Sequence, residues 1–549
     1  MPACRDLGTL YAVGSGVERE PLRALTLLRL ACDGKDAKGC YGQGLLTQGG
    51  QGIAADSKAA ASLFEKACDG GDPRGCVALG DLNERGDGLP KDVQRARTLY
   101  ERGCDAGAGQ GCMRLGHMAE SVEGGLPTAQ KLYSRACDAG LAKGCAALGR
   151  VLEAGGAPAR EQKQAASAYE RGCDGGDEAS CGAFGVLLLA GVRGATEPKT
   201  LVTLLERGCA AEQLPACKAL GTLHEDGRGV PKDAARAAEL YRKACDGGLM
   251  LGCNNLAGLF QDGAGVKQSA AQAFELYNRA CRGGELVGCV NLGSMFASGE
   301  GTSRDLPRAI KIFAHVCEGG LQTGCHELAL CYLHGEGVQK DPNKAMALYR
   351  EGCEQHDDPS SCTGLGELLE HGEGVTPDVV AAARLYLAAC KREDAHGCAR
   401  LAVIYEQGRV GPPKKKAARE LFERACDQAD PLGCAGLGAM LLAGSAEIER
   451  GGALVQRACA AGVAEGCAAY AKALETGRGA ARDEKRAGEL FAKACADDVA
   501  ESCFALALMH AQGRGVEQDA GKSQSLLHRA CELGSEPACR AAQQLAKAE

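Results

Sequence analysis

Apolar and polar positions along the chain follow one unit that is written again and again. Its clearest copy runs from Cys217 to Cys253, CKALGTLHEDGRGVPKDAARAAELYRKACDGGLMLGC. After Cys217 the small or apolar positions Leu220, Gly221, Leu223 and His224 keep the three-and-four spacing of one helix face. Gly227 and Gly229 end that helix, because glycine accepts the left-handed backbone of a C-terminal cap. Asp233 stands where a carboxylate satisfies the free amides of a second helix. That helix repeats Ala237, Leu240, Tyr241 and Ala244 on one face and stops at Gly247-Gly248. Each unit predicts a helix hairpin. A lone hairpin cannot bury its stripe, so neighbours must stack to make a core.

The cysteines give the period. The first members of successive pairs are spaced mostly by 36 residues; eleven of the fourteen intervals have that length, two are 33 and one is 37. Such regularity overrides the three or four globular domains that 549 residues would otherwise imply. The chain therefore reads as one continuous all-α solenoid over residues 1–549, of about fifteen hairpins. After Cys112 and after Cys434 the Gly-x-Gly turn is missing and a shorter turn is expected. Cys4 sits in the register of a second cysteine, so the chain is expected to start inside a repeat, with a true start and an export signal upstream. A capping helix is expected near 537–549.

Two cysteines eight residues apart would be separated by about 12 Å in one continuous helix. A disulfide tolerates roughly 4.4–6.8 Å between Cα atoms. The Asp-Gly-Gly between Cys245 and Cys253 breaks the helix and turns the chain back, which brings the two within reach. The predicted bridges join Cys32 to Cys40, Cys68 to Cys76, Cys104 to Cys112, Cys137 to Cys145, and Cys173 to Cys181. They continue with Cys209 to Cys217, Cys245 to Cys253, Cys281 to Cys289, Cys317 to Cys325, and Cys353 to Cys362. The last five join Cys390 to Cys398, Cys426 to Cys434, Cys459 to Cys467, Cys495 to Cys503, and Cys531 to Cys539. Cys4 and Cys331 remain, the latter in a core register. Spacing of this kind matches no zinc motif, and no metal or other cofactor is expected. So many disulfides place the chain in the periplasm, the cell envelope or outside the cell. The alternative, a cytoplasmic scaffold, requires every thiol to be reduced.

Leu-Gly-x-Leu, Gly-x-Gly-Val-x-x-Asp and Ala-x-x-Leu-Tyr-x-x-Ala resemble the Sel1-like repeat, a relative of the tetratricopeptide repeat. The Ala-Cys-Asp-Gly-Gly ending with a cysteine eight residues later resembles the cysteine-rich branch of that family, the Helicobacter cysteine-rich proteins. The resemblance implies a right-handed superhelix of α/α hairpins, each clipped by one disulfide. It implies an adaptor that holds protein or peptide partners on its concave face. That branch also carries penicillin binding and weak β-lactamase activity, which puts β-lactams and peptidoglycan-derived ligands beside peptides as the alternative. No tryptophan precedes the repeat tyrosine, a departure from the fuller repeat pattern.

Composition narrows the chemistry. A formal charge of −8 with no basic stripe argues against a nucleic-acid partner. Lys414-Lys415-Lys416 reads as a solvated edge before a helix. No apolar run is long enough for a transmembrane helix, and a monomer is expected. Ser-x-x-Lys and Lys-Thr-Gly are both missing, so no catalytic residue is assigned. Gly521-Lys522-Ser523 has the wrong spacing for a phosphate loop and reads as a turn into a helix. The freer positions of each first helix lie one, two, five and eight residues after its cysteine. In mid-chain these give Asn254, Asn255, Asn291, His326 and Glu327 as candidate partner-binding residues, with amides suited to an extended backbone. Glu84, Glu225, Glu370 and Glu406, all eight after a cysteine, read as a solvated acidic ladder.

Overall fold

Two residues per repeat decide where its helices start and stop. In the repeat read above, the Asp233 carboxylate accepts the Arg236 amide at 2.9 Å and opens helix Ala234–Asp246. Gly227, at φ 74°, closes helix Leu214–Asp226 in the left-handed conformation. Asp483 and Gly477 do the same work around helices Glu484–Ala496 and Ala464–Thr476. Propagated along the chain, these signals give a computed structural model that describes residues 1–154, 158–372 and 374–545. All of those residues are helix, turn or irregular, and no strand occurs among them.

The chain divides into two compact units, Met1–Glu285 and Leu286–Glu549. The first begins with helix Pro2–Val13 and ends with Ala270–Arg282; the second begins with Leu286–Ser298 and ends with Glu536–Leu545. Residues 546–549 of the expected cap lie outside the described residues. In both units the helices alternate between two kinds. An A helix carries the second cysteine of a pair near its start, and a B helix carries the first cysteine near its end. Within each unit every helix packs on the next in sequence, which makes both units all-α solenoid.

The core repeats with the chain. Leu220, Leu223, Leu240, Tyr241 and Ala244 are buried, as their spacing requires. The Tyr241 ring fits only because the facing A-helix residue is Gly221; a Cβ there would lie 2.7 Å from the ring. Phe64 against Gly44, Tyr100 against Gly80, and, in unit 2, Phe313 against Gly293 repeat this fit. Cys331 is buried in the core register, and burial pushes its thiol up to about 11.

The Gly-x-Gly turn holds more than a helix cap. Its second glycine rests on the first turn of the preceding repeat's B helix. Gly229, at φ 79°, would put a Cβ 2.6 Å from Pro198, the first residue of Pro198–Ala210. Gly515, at φ 68°, sits on Glu484 in the same way within unit 2. Where the motif is missing, the turn 227–233 of the regular repeat shrinks to 121–125 and to 444–447.

Disulfides staple B helix to following A helix, with Cα separations from 4.3 Å at Cys459–Cys467 to 4.7 Å at Cys104–Cys112. Cys353–Cys362, with its extra residue, keeps 4.7 Å, and Asp357 in its turn takes a left-handed φ of 57° as one residue does in the shorter turns, such as Gly248 at 100°. By the chain-entropy account each such loop contributes roughly 2–3 kcal/mol.

Candidate binding face

Three A helices of unit 1, Gly109–Glu120, Ala142–Glu153 and Glu178–Leu189, turn their freer positions toward a common pocket of about 430 Å³. Met113, Ala146, Ala147 and Ala183 give it an apolar floor, and His117, Lys143, Arg150 and Gln213 stand around it. These residues fall one, two and five after the helix cysteine, or two and four before the next. The ring of buried Tyr169 and the side chain of Ser180 complete the wall.

Electrostatics fix most of the rim. Arg150 donates to both oxygens of Glu120, at 2.8 and 2.9 Å, and so ties one repeat to its predecessor. Burial opposes ionisation of Glu120, but the bonds from Arg150 and from the Tyr133 hydroxyl win and hold it below the usual carboxylate range. Tyr169 donates to Glu153 at 2.6 Å, and burial together with that acceptor raises its phenol. The His117 ring nitrogen meets the Tyr133 hydroxyl at 3.1 Å. Ser180 donates to Asp177, the cap of its own helix, at 2.5 Å.

Unit 2 fills a comparable register with its own side chains. His396 stands 3.2 Å from Glu367 and 3.1 Å from Asp430, and these two hydrogen bonds raise it to about 10 against the cost of burial. Glu370 accepts from Tyr386 at 2.8 Å, from Arg400 at 2.7 Å and from Arg409. Burial would raise Glu367, Glu370 and Asp430, yet Arg400, Arg409 and His396 lower all three. The result is an ion network that joins three successive repeats.

The expected binding residues sit elsewhere. Asn254 and Asn255 are half-buried on Met250–Asp262 of unit 1, where Asn254 donates to Asn255 at 3.4 Å and Asn255 reaches the Tyr241 hydroxyl. Asn291 is half-buried on Leu286–Ser298 of unit 2. His326 and Glu327 lie on Gln322–His334, with the His326 ring tilted against Tyr349 at 5.4 Å. None of the five lines the unit 1 pocket. The acidic ladder is not simply solvated. Glu84, Glu225 and Glu370 accept the hydroxyls of Tyr100, Tyr241 and Tyr386 at 2.8, 2.6 and 2.8 Å. Glu406 faces Phe422 in that register, and burial raises it, with Lys415 opposing. Lys414 caps Lys415–Asp427 with its ammonium over Tyr405, and Gly521-Lys522-Ser523 lies within helix Ala520–Glu532.

A stack of helix hairpins, each stapled to the next by a disulfide, defines the class of α-helical repeat solenoids. Within it, the Sel1 repeat model matches twelve stretches: 2–36, 37–72, 73–107, 110–141, 214–249, 251–285, 286–314, 323–357, 359–394, 395–430, 464–499 and 500–535. The chain belongs to the Sel1 repeat family. A protective antigen of uropathogenic Escherichia coli is similar at 19% identity and TM-score 0.39, over 95% of this chain and 90% of that one. A Sel1 repeat protein of Oxalobacter formigenes is 26% identical, with TM-score 0.40, over 46% of this chain and 99% of that one. Helicobacter pylori cysteine-rich protein B is 30% identical, with TM-score 0.21, over 25% of this chain and 97% of that one. No curated protein sequence matches the chain. The pocket lies largely on residues between 142 and 213, which fall outside the matched repeats. Part of its signal was in the sequence: Lys143, two before a cysteine, and His117 and Arg150, five after one. The mid-chain copies at Cys217, Cys253, Cys289 and Cys325 carry no charge at those positions, so their regular pattern does not point to it.

Among the described residues, no group of three or more His, Cys, Asp or Glu side chains could hold a metal ion. No described helix is long and apolar enough to cross a membrane.

Proposed function

We propose that the protein is a non-catalytic scaffold that docks a protein or peptide partner against the A helices of unit 1. The pocket of about 430 Å³, apolar below and charged at its rim, supports this reading. Such a mixture suits one anchoring side chain of a partner and the polar backbone around it. The disulfides place the chain in an oxidising compartment, and the periplasm, the envelope or the outside of the cell is where we place its partner. Hydrolysis of β-lactams rests on family resemblance alone and is not advanced.

The test is a pull-down from envelope extract with the oxidised full chain and with the pocket-filling pair Ala146→Trp/Ala183→Trp. A saturable partner lost by the double variant, with the thermal midpoint preserved, is the expected result. A partner retained by the filled variant would move the docking face elsewhere.

A further inference from the structure

We propose that the Cys426–Cys434 staple is a thiol-exchange site, opened by a dithiol reductant that attacks Cys426 and primed for that attack by Arg457. This goes beyond the docking reading and does not rest on it. In several repeats the arginine two before a B-helix cysteine clamps the backbone of the preceding repeat. Arg135 donates to the Cys104 carbonyl at 3.1 Å and to Asp105 at 2.9 Å. Arg171 does the same with the Cys137 carbonyl and Asp138, and Arg279 with the Cys245 carbonyl and Asp246. Arg457 has the Cys426 carbonyl and Asp427 in the matching places, yet its guanidinium goes to the sulfurs instead. It donates to Cys434 Sγ at 2.8 Å and to Cys426 Sγ at 3.4 Å. Arg207 also reaches a sulfur, Cys173 Sγ at 3.4 Å, but both oxygens of Glu178 hold it, at 2.6 and 2.9 Å. Among the described residues Arg457 makes no ion pair, so its charge is left to the disulfide.

A disulfide exchanges fastest when the departing sulfur is stable as a thiolate, and a neighbouring guanidinium favours the thiolate. Arg457 lies closer to Cys434 Sγ, so Cys434 is the leaving sulfur. Cys426 is the more accessible of the two, at 7% exposure against 1%, and is the sulfur attacked. Burial alone does not single the pair out. Cys459 and Cys467 are 7% and 0% exposed, and among the described residues no cation donates to their sulfurs. In the first step a reductant thiolate bonds to Cys426 Sγ, the Cys426–Cys434 bond breaks, and its electron pair leaves on Cys434 Sγ beside Arg457. In the second, the reductant's other thiol gives its proton to water and attacks its partner sulfur in the mixed disulfide. The reductant's own disulfide forms, Cys426 departs as a thiolate, and two electrons have passed from the dithiol to the staple. The loop that this staple closes carries Asp430, which holds the Gly433 amide at 2.7 Å and the His396 imidazole at 3.1 Å. The exchangeable bond is thus also the tether of one end of the ion network.

The experiment exposes the oxidised, folded full chain to dithiothreitol at neutral pH, quenches with an alkylating agent at intervals, and counts modified cysteines one by one by mass spectrometry. Cys426 and Cys434 should become alkylated roughly tenfold faster than Cys459 and Cys467, the pair matched to them in burial. Arg457→Met should bring the two pairs to within about twofold of each other, and Arg457→Lys should keep most of the difference, both with the thermal midpoint of the oxidised chain unchanged. With glutathione, which has one thiol, the adduct should be found on Cys426 and the free thiol on Cys434. Equal opening of the two pairs in the native chain overturns the proposal. So does a difference that survives Arg457→Met, which would trace the opening to local unfolding, and so does a glutathione adduct on Cys434. The native-chain and glutathione measurements need no variant and decide the matter even if Arg457→Met lowers the midpoint.

Discussion

At the residue scale the stack is governed by which Cβ atoms can be present. Across each disulfide turn the residue before the first cysteine faces the residue before the second, and one of the two is usually glycine. A Cβ on Gly466 would lie 2.7 Å from that of Ala458, and one on Gly172 would lie 2.5 Å from the Ser180 hydroxyl. Gly208 faces Ala216 and Gly352 faces Ser361 in the same exchange. The rule relaxes where Ala494 faces Ser502 and Ala530 faces Ala538, and at Gly103 and Gly111, where Val77 takes the space. Overpacking of this kind costs about 1–3 kcal/mol. Gly466→Ala should therefore destabilise by that amount in guanidinium titrations, and adding Ala458→Gly should recover part of it. Strictly additive effects would show that the two positions do not exclude each other. The tyrosine–glutamate pairs carry a second residue-scale prediction. Phe422 occupies the register of Tyr386, and Glu406 that of Glu370. Phe422→Tyr should give Glu406 a donor, stabilise by about 0.5–1.5 kcal/mol and lower the Glu406 pKa, which a carboxylate NMR titration can follow.

Between elements, the network of Glu367, Glu370, Arg400, Arg409, His396 and Asp430 joins successive A helices of unit 2. Its pH dependence has two signs. The carboxylates are held low, so their contribution is present above about pH 4 and is lost as pH falls through their native values. His396 is raised to about 10, so its contribution is complete below about 6.5 and is lost as pH rises toward 10. The thermal midpoint of His396→Gln should trail that of the native chain most near pH 5–6, with the gap closing by pH 10. The imidazole is half-exposed, so added salt should narrow the gap. A gap that widens with pH would show that His396 is not held as a cation. Little of this was legible beforehand. Helix starts and stops were, because Asp233 and Gly227 act through their own backbone neighbours. The network was not, because Glu367, His396 and Asp430 meet only once three repeats are stacked, and the second glycine of each turn likewise answers to a helix of the repeat before it.

For the whole molecule, periodicity made the fold readable and hid the site. Every copy repeats the same core, so a 36-residue pattern states the architecture fifteen times over, whereas a docking pocket arises where copies differ. His117 and Arg150, each five after a helix cysteine, are such differences, and they carry meaning only against the regular register. The same repetition predicts how the molecule fails. Each staple closes a short local loop within a stack whose repeats interact chiefly with their neighbours. Removing one staple with Cys245→Ser/Cys253→Ser should cost about 2–3 kcal/mol. Hydrogen exchange should then speed up in Ala234–Asp246, Met250–Asp262 and the helices packed on them, and helices several repeats away should keep their protection. A thiol count on the denatured, unreduced chain should find two, at Cys4 and Cys331. A global collapse of protection from this one local change would mean that the repeats fold as a single cooperative block, and a count near 32 would mean that the staples do not form. In that second case the Asp-Gly-Gly turns alone would hold the helices together, and the oxidising compartment would lose its support.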